Sequence, residues 1–465
     1  MTLARIAIDR LNRRVAALAA CVLLFGSAAT PAGAQTSEFM LANGMKVIVK
    51  EDHRAPTVAH MVWYRAGSID EVNGKTGVAH VLEHLMFKGT RQFGPGEFSK
   101  RIASLGGREN AFTSRDYTGY YQQLHKSALA EAMTLESDRM HNLVLSKEEF
   151  DREIKVVMEE RRLRTEDRAQ SLVMEQLNAA AFVASPYRAP TVGWMNDLEA
   201  MTVDDAREWY ERWYAPNNAL LIVAGDVQPA EVLALAESTY GRLPAKPLLA
   251  RKPQIEPPQR GIRRLSVKAP ADNPMVVLGF HAPALRDVER DVDPYALEVL
   301  SAMLALNDTG RFTRRLVREQ RVANAAEAGY ELISRGPALF LLMAVPAEGK
   351  TTEDTERAMR AEIARIAADG VPEDELKRIK TQYVAAETYK LDSIFAQAME
   401  AARLEITGFA QRDDARILER IRAVTSAQIQ DVARRYFGDD TLTVVTLLPQ
   451  PVGEKRTPPP AGLRH

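Results

Sequence analysis

The chain has 465 residues, 61 Lys+Arg against 62 Asp+Glu, a single cysteine and 46% hydrophobic residues. Those values describe a folded protein of two to four domains and exclude a disordered chain, a collagen-like repeat and a disulfide scaffold. A formal net charge of −1 supplies no concentrated basic face, so a nucleic-acid partner is not expected.

In chain order, Arg5, Arg10, Arg13 and Arg14 precede an apolar run from Val15 to about Gly26, and Ala32-Gly33-Ala34 places small residues at a cleavage site. This is the three-part pattern of a secretory signal peptide over 1–34, with cleavage after Ala34, and it predicts a periplasmic or secreted protein. The 431 remaining residues carry 57 basic and 61 acidic groups, a net charge of −4, and no cysteine. Any metal site in the exported chain must therefore use His and carboxylates. Leu18-Ala19-Ala20-Cys21 resembles a lipoprotein cleavage box, but only about six apolar residues precede Cys21, so lipidation there is the less favoured reading. No other segment has 18 consecutive apolar residues, and no mature membrane span is expected.

An internal repeat follows. Thr202 and Thr425 open similar polar helix starts 223 residues apart, and both run through aromatic residues into apolar strands near 219–224 and 442–447. Pro56-Thr57-Val58 matches Pro274-Met275-Val276 at an offset of 218, and Val81-Leu82 matches Val299-Leu300 at the same offset. The expected organisation is a domain over 35–242, a proline-rich linker over 243–263 containing Pro244, Pro247, Pro253, Pro257 and Pro258, and a repeat over 264–465. Strand-like runs (46–50, 58–64, 220–224, 275–280, 338–344 and 441–447) alternate with helical patterns (76–87, 147–181 and 353–368). The fold class is therefore α+β, with each half a sheet covered by helices.

The chemistry concentrates in His80-Val81-Leu82-Glu83-His84. Residues four apart share a helix face, so both imidazoles can reach one ion with the Glu83 carboxylate beside them. This is the inverted zinc order, in which two His hold the ion and the Glu takes a proton from water. With 8 His in the chain, the pattern arises by chance in about one such chain in a hundred. A third ligand is expected from Glu153, Glu159 or Glu160, on a helix with an apolar stripe of Ile154, Val157 and Met158. Glu153 and Glu160 lie two turns apart, about 10 Å along the axis.

Taken together, His80-x-x-Glu83-His84, the downstream Glu153-Ile-Lys-Val-Val-Met-Glu-Glu160, Gly107, Asn110-Ala111-Phe112-Thr113, Asp116-Tyr117-Thr118 and Pro190-Thr191-Val192-Gly193 resemble the pitrilysin, insulysin and mitochondrial processing peptidase family. The resemblance runs from about Ser37 to about Pro449. It implies two duplicated halves, each with a mainly antiparallel sheet, forming half of a clam-shell chamber. It implies a Zn2+ cofactor with Glu160 as third ligand, Glu83 as catalytic base and Glu153 as the acid holding a ligand from behind. It also implies that Asn110, Ala111, Phe112 and Thr113 lie on an edge strand that pairs with substrate backbone.

At offset 218 the second half has Glu298, Ser301 and Ala302 in place of His80, Glu83 and His84, a set without metal-binding capacity. The family's Arg and Tyr that hold the substrate carbonyl align with Val317 and Asn324, with Arg315, Arg318 and Tyr330 as neighbours that could compensate. The implied activity is a zinc endopeptidase acting on short or unfolded polypeptides. A related partner chain supplies the missing pair in a heterodimer, with a homodimer as the other option. The alternatives are a non-cleaving family subunit acting in binding or assembly, and a zinc hydrolase acting on a non-peptide ester or amide.

Overall fold

The computed structural model describes residues 36–451 except 249. The leader reading, with its cleavage after Ala34 and its alternative at Cys21, lies outside the described residues. Eleven strands are present among the described residues: β1 (Thr36–Met40), β2 (Lys46–Glu51), β3 (Thr57–Tyr64), β4 (Arg108–Thr113), β5 (Thr118–His125), β6 (Ala219–Gly225), β7 (Arg263–Pro270), β8 (Met275–Ala282), β9 (Ala323–Tyr330), β10 (Ala338–Pro346) and β11 (Leu442–Gln450). They form two sheets, ordered β1-β2-β6-β3-β5-β4 and β7-β11-β8-β10-β9. Apart from the added β1, the two orders are the same permutation. In each sheet one neighbouring pair is parallel, β2 with β6 and β7 with β11, and the other pairs are antiparallel. The duplication suspected from two sequence offsets is thus a duplication of topology.

Strand composition explains the layering. Along β3, Val58, Val62 and Tyr64 face one buried cluster while Ala59, Met61 and Trp63 face another. A strand buried on both faces reads as a continuous apolar run, as β6 also does. The helices that open at Thr202 and Thr425 begin with the same device. The backbone N–H of Thr202 donates to Asp205 at 2.9 Å and that of Thr425 donates to Gln428 at 2.8 Å, and each threonine hydroxyl accepts in return.

The two halves exchange helices. Helix Ala169–Ala181, which follows the first half's acidic helix, places Val173 and Leu177 against Val277, Val445 and Leu447 of the second sheet. Helix Ile394–Thr407 places Ala398, Ala402 and Ile406 against Met61, Trp63, Leu220 and Ile222 of the first. Each aliphatic side chain fully buried this way stabilises the arrangement by about 1.5–3 kcal/mol.

The pattern over 147–181 suggested one long helix, and the structure divides it. Helix Lys147–Arg161 runs into a π-helical turn over Arg162–Glu166, and Arg168 is extended before the next helix begins at Ala169. The break lets one stretch carry Glu153 and Glu160 beside His80 and His84 and the next cross to the other sheet, which helical periodicity cannot report. Strands β1, β4, β5, β7 and β9 escaped the periodicity reading: four are edge strands with half-exposed, polar-alternating faces, and the inner strand β5 (TGYYQQLH) carries glutamines and threonine in place of a long apolar run. Residue 263, assigned to the linker, is the first residue of β7.

Candidate metal centre

Helix Val78–Leu85 buries Val78, Val81, Leu82 and Leu85 on one face, which leaves His80, Glu83 and His84 on the other. Its start is fixed by carboxylates. Glu71 accepts the backbone N–H of Gly77 at 2.8 Å and of Ala79 at 2.9 Å, meeting donors that have no partner within the helix. Asp197 accepts the Thr76 hydroxyl at 2.6 Å, and Thr76 in turn accepts the Trp194 N–H at 3.0 Å. Gly77 has φ +88° and Gly193 φ +89°, and a Cβ on Gly193 would lie 2.4 Å from the Thr76 carbonyl oxygen. Both glycines are therefore required by left-handed backbone and by close approach.

The structure brings together most of the residues expected from the sequence. His80 Nε2 is 3.8 Å and His84 Nε2 is 3.4 Å from the two oxygens of Glu160. Among the described residues, His80, His84 and Glu160 are the one group of three whose ligand atoms all lie within 4.8 Å of one another. Donors about 2.0–2.1 Å from a tetrahedral zinc stand roughly 3.3 Å apart, so the set fits that ion with small side-chain adjustments. Glu153 Oε2 stands 3.3 Å from His84 Nδ1, and its other oxygen is 2.8 Å from Lys88. Glu159, the remaining acidic candidate, turns outward and pairs with Arg162 at 3.1 Å.

Electrostatics separate the two imidazoles. Burial and the neighbouring His84 charge push His80 down to about 4, so it is neutral near pH 7 and charged only in the acid range where Glu160 titrates. Burial also opposes charge on His84, but hydrogen bonds to Glu153 and Glu160 outweigh it and raise this imidazole to about 9. Burial works against the Glu160 carboxylate too, yet the hydrogen bond from His84 and the charges of His80 and Arg164 draw it down to about 2. Glu83 is shifted upward by burial, partly offset by the Thr113 hydroxyl, which donates to it at 2.5 Å.

Asn110, Ala111, Phe112 and Thr113 all lie on β4, which among the described residues pairs only with β5 and forms one edge of the six-stranded sheet. Their roles diverge. Asn110 folds its side-chain oxygen onto the Ala111 N–H at 2.9 Å. Phe112 packs edge-on against Trp63 at 4.9 Å, and Thr113 reaches Glu83. The sequence reading missed Arg164, which pairs with Glu160, and Arg161, whose guanidinium donates to Glu175 and to the Gly193 carbonyl, both at 2.9 Å. For Arg161, an arginine beside a candidate ligand glutamate, on the buried side of an amphipathic helix, was the available signal.

A family model described as insulinase, peptidase family M16, matches residues 46–193, and a second, described as the peptidase M16 inactive domain, matches 200–383. The chain belongs to the M16 peptidase family. It is 29% identical over 416 residues to a protein of Helicobacter pylori named zinc protease PqqE, covering 88% of this chain and 92% of that one. A crystal structure of a protease from Helicobacter pylori superposes with a TM-score of 0.84 at 28% identity, covering 90% of this chain and 100% of the other. The periplasmic protease PqqL from Escherichia coli has the same fold, with a TM-score of 0.77 at 20% identity, and this M16 chain covers 48% of its length. The boundary between the two family models places the candidate metal ligands His80, His84 and Glu160 in the first matched segment and Glu298, Ser301 and Ala302 in the one described as inactive.

Proposed function

We propose that this M16 chain is a zinc-dependent endopeptidase cleaving short or unfolded polypeptides, with Zn2+ held by His80, His84 and Glu160. The observation that carries the reading is the convergence of His80, Glu83 and His84 of one helix with Glu160 of another, where Glu83 is bonded by Thr113 of the edge strand β4. When bound, the zinc supplies Lewis acidity, which lowers the pKa of water and polarises a carbonyl. The chain's own residues do the rest. Strand β4 offers backbone groups to an extended peptide, which reads few side chains and suits varied unfolded substrates. Glu83, raised by burial, accepts a proton from the attacking water and passes it to the leaving amine, while Thr113 fixes which oxygen carries it. Glu153 and Lys88 hold the His84 ring so that Nε2 faces inward.

Glu83→Gln should reduce hydrolysis of a quenched peptide by about 10²–10⁴-fold, the usual worth of a general base, while zinc content is unchanged. Near-normal turnover would refute the assignment.

We also propose export to the periplasm or beyond, on the leader pattern, and a related partner chain. Val317 and Asn324 supply neither guanidinium nor phenol, and two of their neighbours are engaged elsewhere: Arg315 lies 3.6 Å from Glu362 and the Tyr330 hydroxyl donates to the Pro283 carbonyl. A partner would bring the missing Arg and Tyr and close the other half of the chamber. Full activity of the purified single chain would overturn that part alone. A chain that binds zinc and peptide but never cleaves, with or without its partner, would instead be a binding subunit.

A further inference from the structure

The duplicated topology makes the turn between β4 and β5 equivalent to the connection between β9 and β10, and in the folded chain these two segments meet. Arg335, in the second half, makes the contact. Its backbone N–H donates to the Asp116 carboxylate at 2.9 Å, and its guanidinium donates to the Asp116 carbonyl at 2.7 Å and to both oxygens of Asp70 at 2.9 Å. The Asp70 side chain is only 3% exposed. Arg286 donates to the Gly336 carbonyl at 2.6 Å and to the Ser334 carbonyl, so the segment carrying Arg335 is held on its own side as it reaches across.

Two routes run from this guanidinium to the candidate metal ligands. Asp70 precedes Glu71, whose carboxylate fixes the start of helix Val78–Leu85 through the N–H groups of Gly77 and Ala79. Asp116 lies three residues after Thr113, which donates to Glu83. The two segments also touch directly, since the Ile69 N–H donates to the Arg115 carbonyl at 2.8 Å. A planar fork with several N–H donors can fix both at once, which a single ammonium cannot.

We propose that Arg335 is a positioning residue for the metal centre, contributed by the half that holds none of the proposed ligands. Resting on the ligand assignment above, the inference gives the second half a part in the site: Arg335 sets how the helix bearing His80, Glu83 and His84 stands against the Thr113 end of β4. It acts through Asp70 and Asp116 rather than on the reacting groups. Another ion pair between the halves, Lys46 with Glu405 at 2.5 Å, joins β2 to helix Ile394–Thr407, and β2 is separated from β4 by three strands. That pair holds the halves together with no route to Glu83.

Arg335→Gln removes the fork and leaves the fold its other supports. The backbone N–H still reaches Asp116, the Tyr187 hydroxyl still donates to Asp116 at 2.5 Å, and Arg251 still pairs with Asp70 at 2.5 Å. Neither carboxylate is stranded, so the large cost of a buried pair broken on one side does not arise.

The test measures zinc affinity by chelator competition, kcat and KM on a quenched peptide, and melting temperature, in the full chain and its variants. Arg335→Gln should weaken zinc binding about tenfold, the lower end for groups that orient ligands, and should lower kcat with KM little changed. Arg335→Lys keeps the charge and should recover the melting temperature without recovering zinc affinity. Lys46→Met should lower the melting temperature and leave zinc affinity as it was. Unchanged zinc affinity in Arg335→Gln, full recovery by Arg335→Lys, or an equal loss in Lys46→Met would each overturn the proposal and reduce Arg335 to a clamp between halves. Zinc affinity is read without cleavage, so a chain that binds zinc and hydrolyses nothing refutes the hydrolytic reading and still decides this one. His80→Ala tests the ligand assignment separately, because zinc binding that survives it sinks that assignment whatever Arg335 does.

Discussion

Arg161 links the helix of the candidate metal ligands His80 and His84 to the helix that crosses to the second sheet, and replacing it is the most informative test of how the site is held. Its side chain and that of Glu175 are each only 6% exposed, and they pair at 2.9 Å. The same Nη1 donates to Gly193, whose backbone touches Thr76 at the start of helix Val78–Leu85. Arg161→Met strands the Glu175 carboxylate in the interior, which costs about 3–5 kcal/mol for a buried pair broken on one side. Arg161→Met with Glu175→Leu removes both charges and should recover most of that loss. The remaining deficit is the unsatisfied Gly193 carbonyl, about 1–3 kcal/mol. Urea unfolding followed by tryptophan fluorescence is a suitable assay, because the Arg161 guanidinium lies 5.7 Å from the Trp194 ring. The single variant should also weaken zinc affinity, and the double variant should restore only part of it. Additivity of the two substitutions within about 0.5 kcal/mol would refute the coupling.

Gly193→Ala should destabilise the chain by about 2–5 kcal/mol, combining left-handed strain with overpacking against Thr76, and should weaken zinc binding. An unchanged melting curve would contradict the close approach. Thr113→Val removes the hydroxyl from Glu83 and should lower kcat by about 2–10-fold with KM little changed, the worth of one hydrogen bond. A purely KM effect would place Thr113 in substrate binding alone. In protein stripped of metal, His84 is raised from 6.5 to about 9. Its ion pairs therefore stabilise the fold fully below about 6.5, and that contribution is lost as pH rises through about 9. Zinc must displace this proton, so between those limits binding should release about one proton and apparent affinity should rise about tenfold per pH unit. Chelator competition at pH 7 and 8 would expose a flat response, which would rule out a protonated His84.

How much of this was legible in the sequence depends on whether each feature is written locally. The spacing of His80, Glu83 and His84 needs only a helix to put them on one face, and their apolar neighbours declare that helix. Glu160 was one of three acids on a neighbouring helix, and the residues alone left the choice open until the family resemblance favoured it. The structure shows the physical difference: Glu159 points outward to Arg162 while Glu160 faces the imidazoles. The repeat was legible through matched offsets, because equivalent strands keep their order even where their residues change.

The exchange of helices between the sheets was not legible, and the reason is physical. Helices Ala169–Ala181 and Ile394–Thr407 carry apolar faces that would suit either sheet, and nothing in their periodicity names the partner. Only the break at Asp167 and Arg168, together with Arg161 held by Glu175, commits the first of them to cross. The two halves are consequently one folding problem. A first half expressed alone would leave Ile48, Met61, Trp63 and Ile222 without the Ala398, Ala402 and Ile406 face that covers them. The first half should therefore fail to fold stably without the second, even though the proposed zinc ligands all belong to the first.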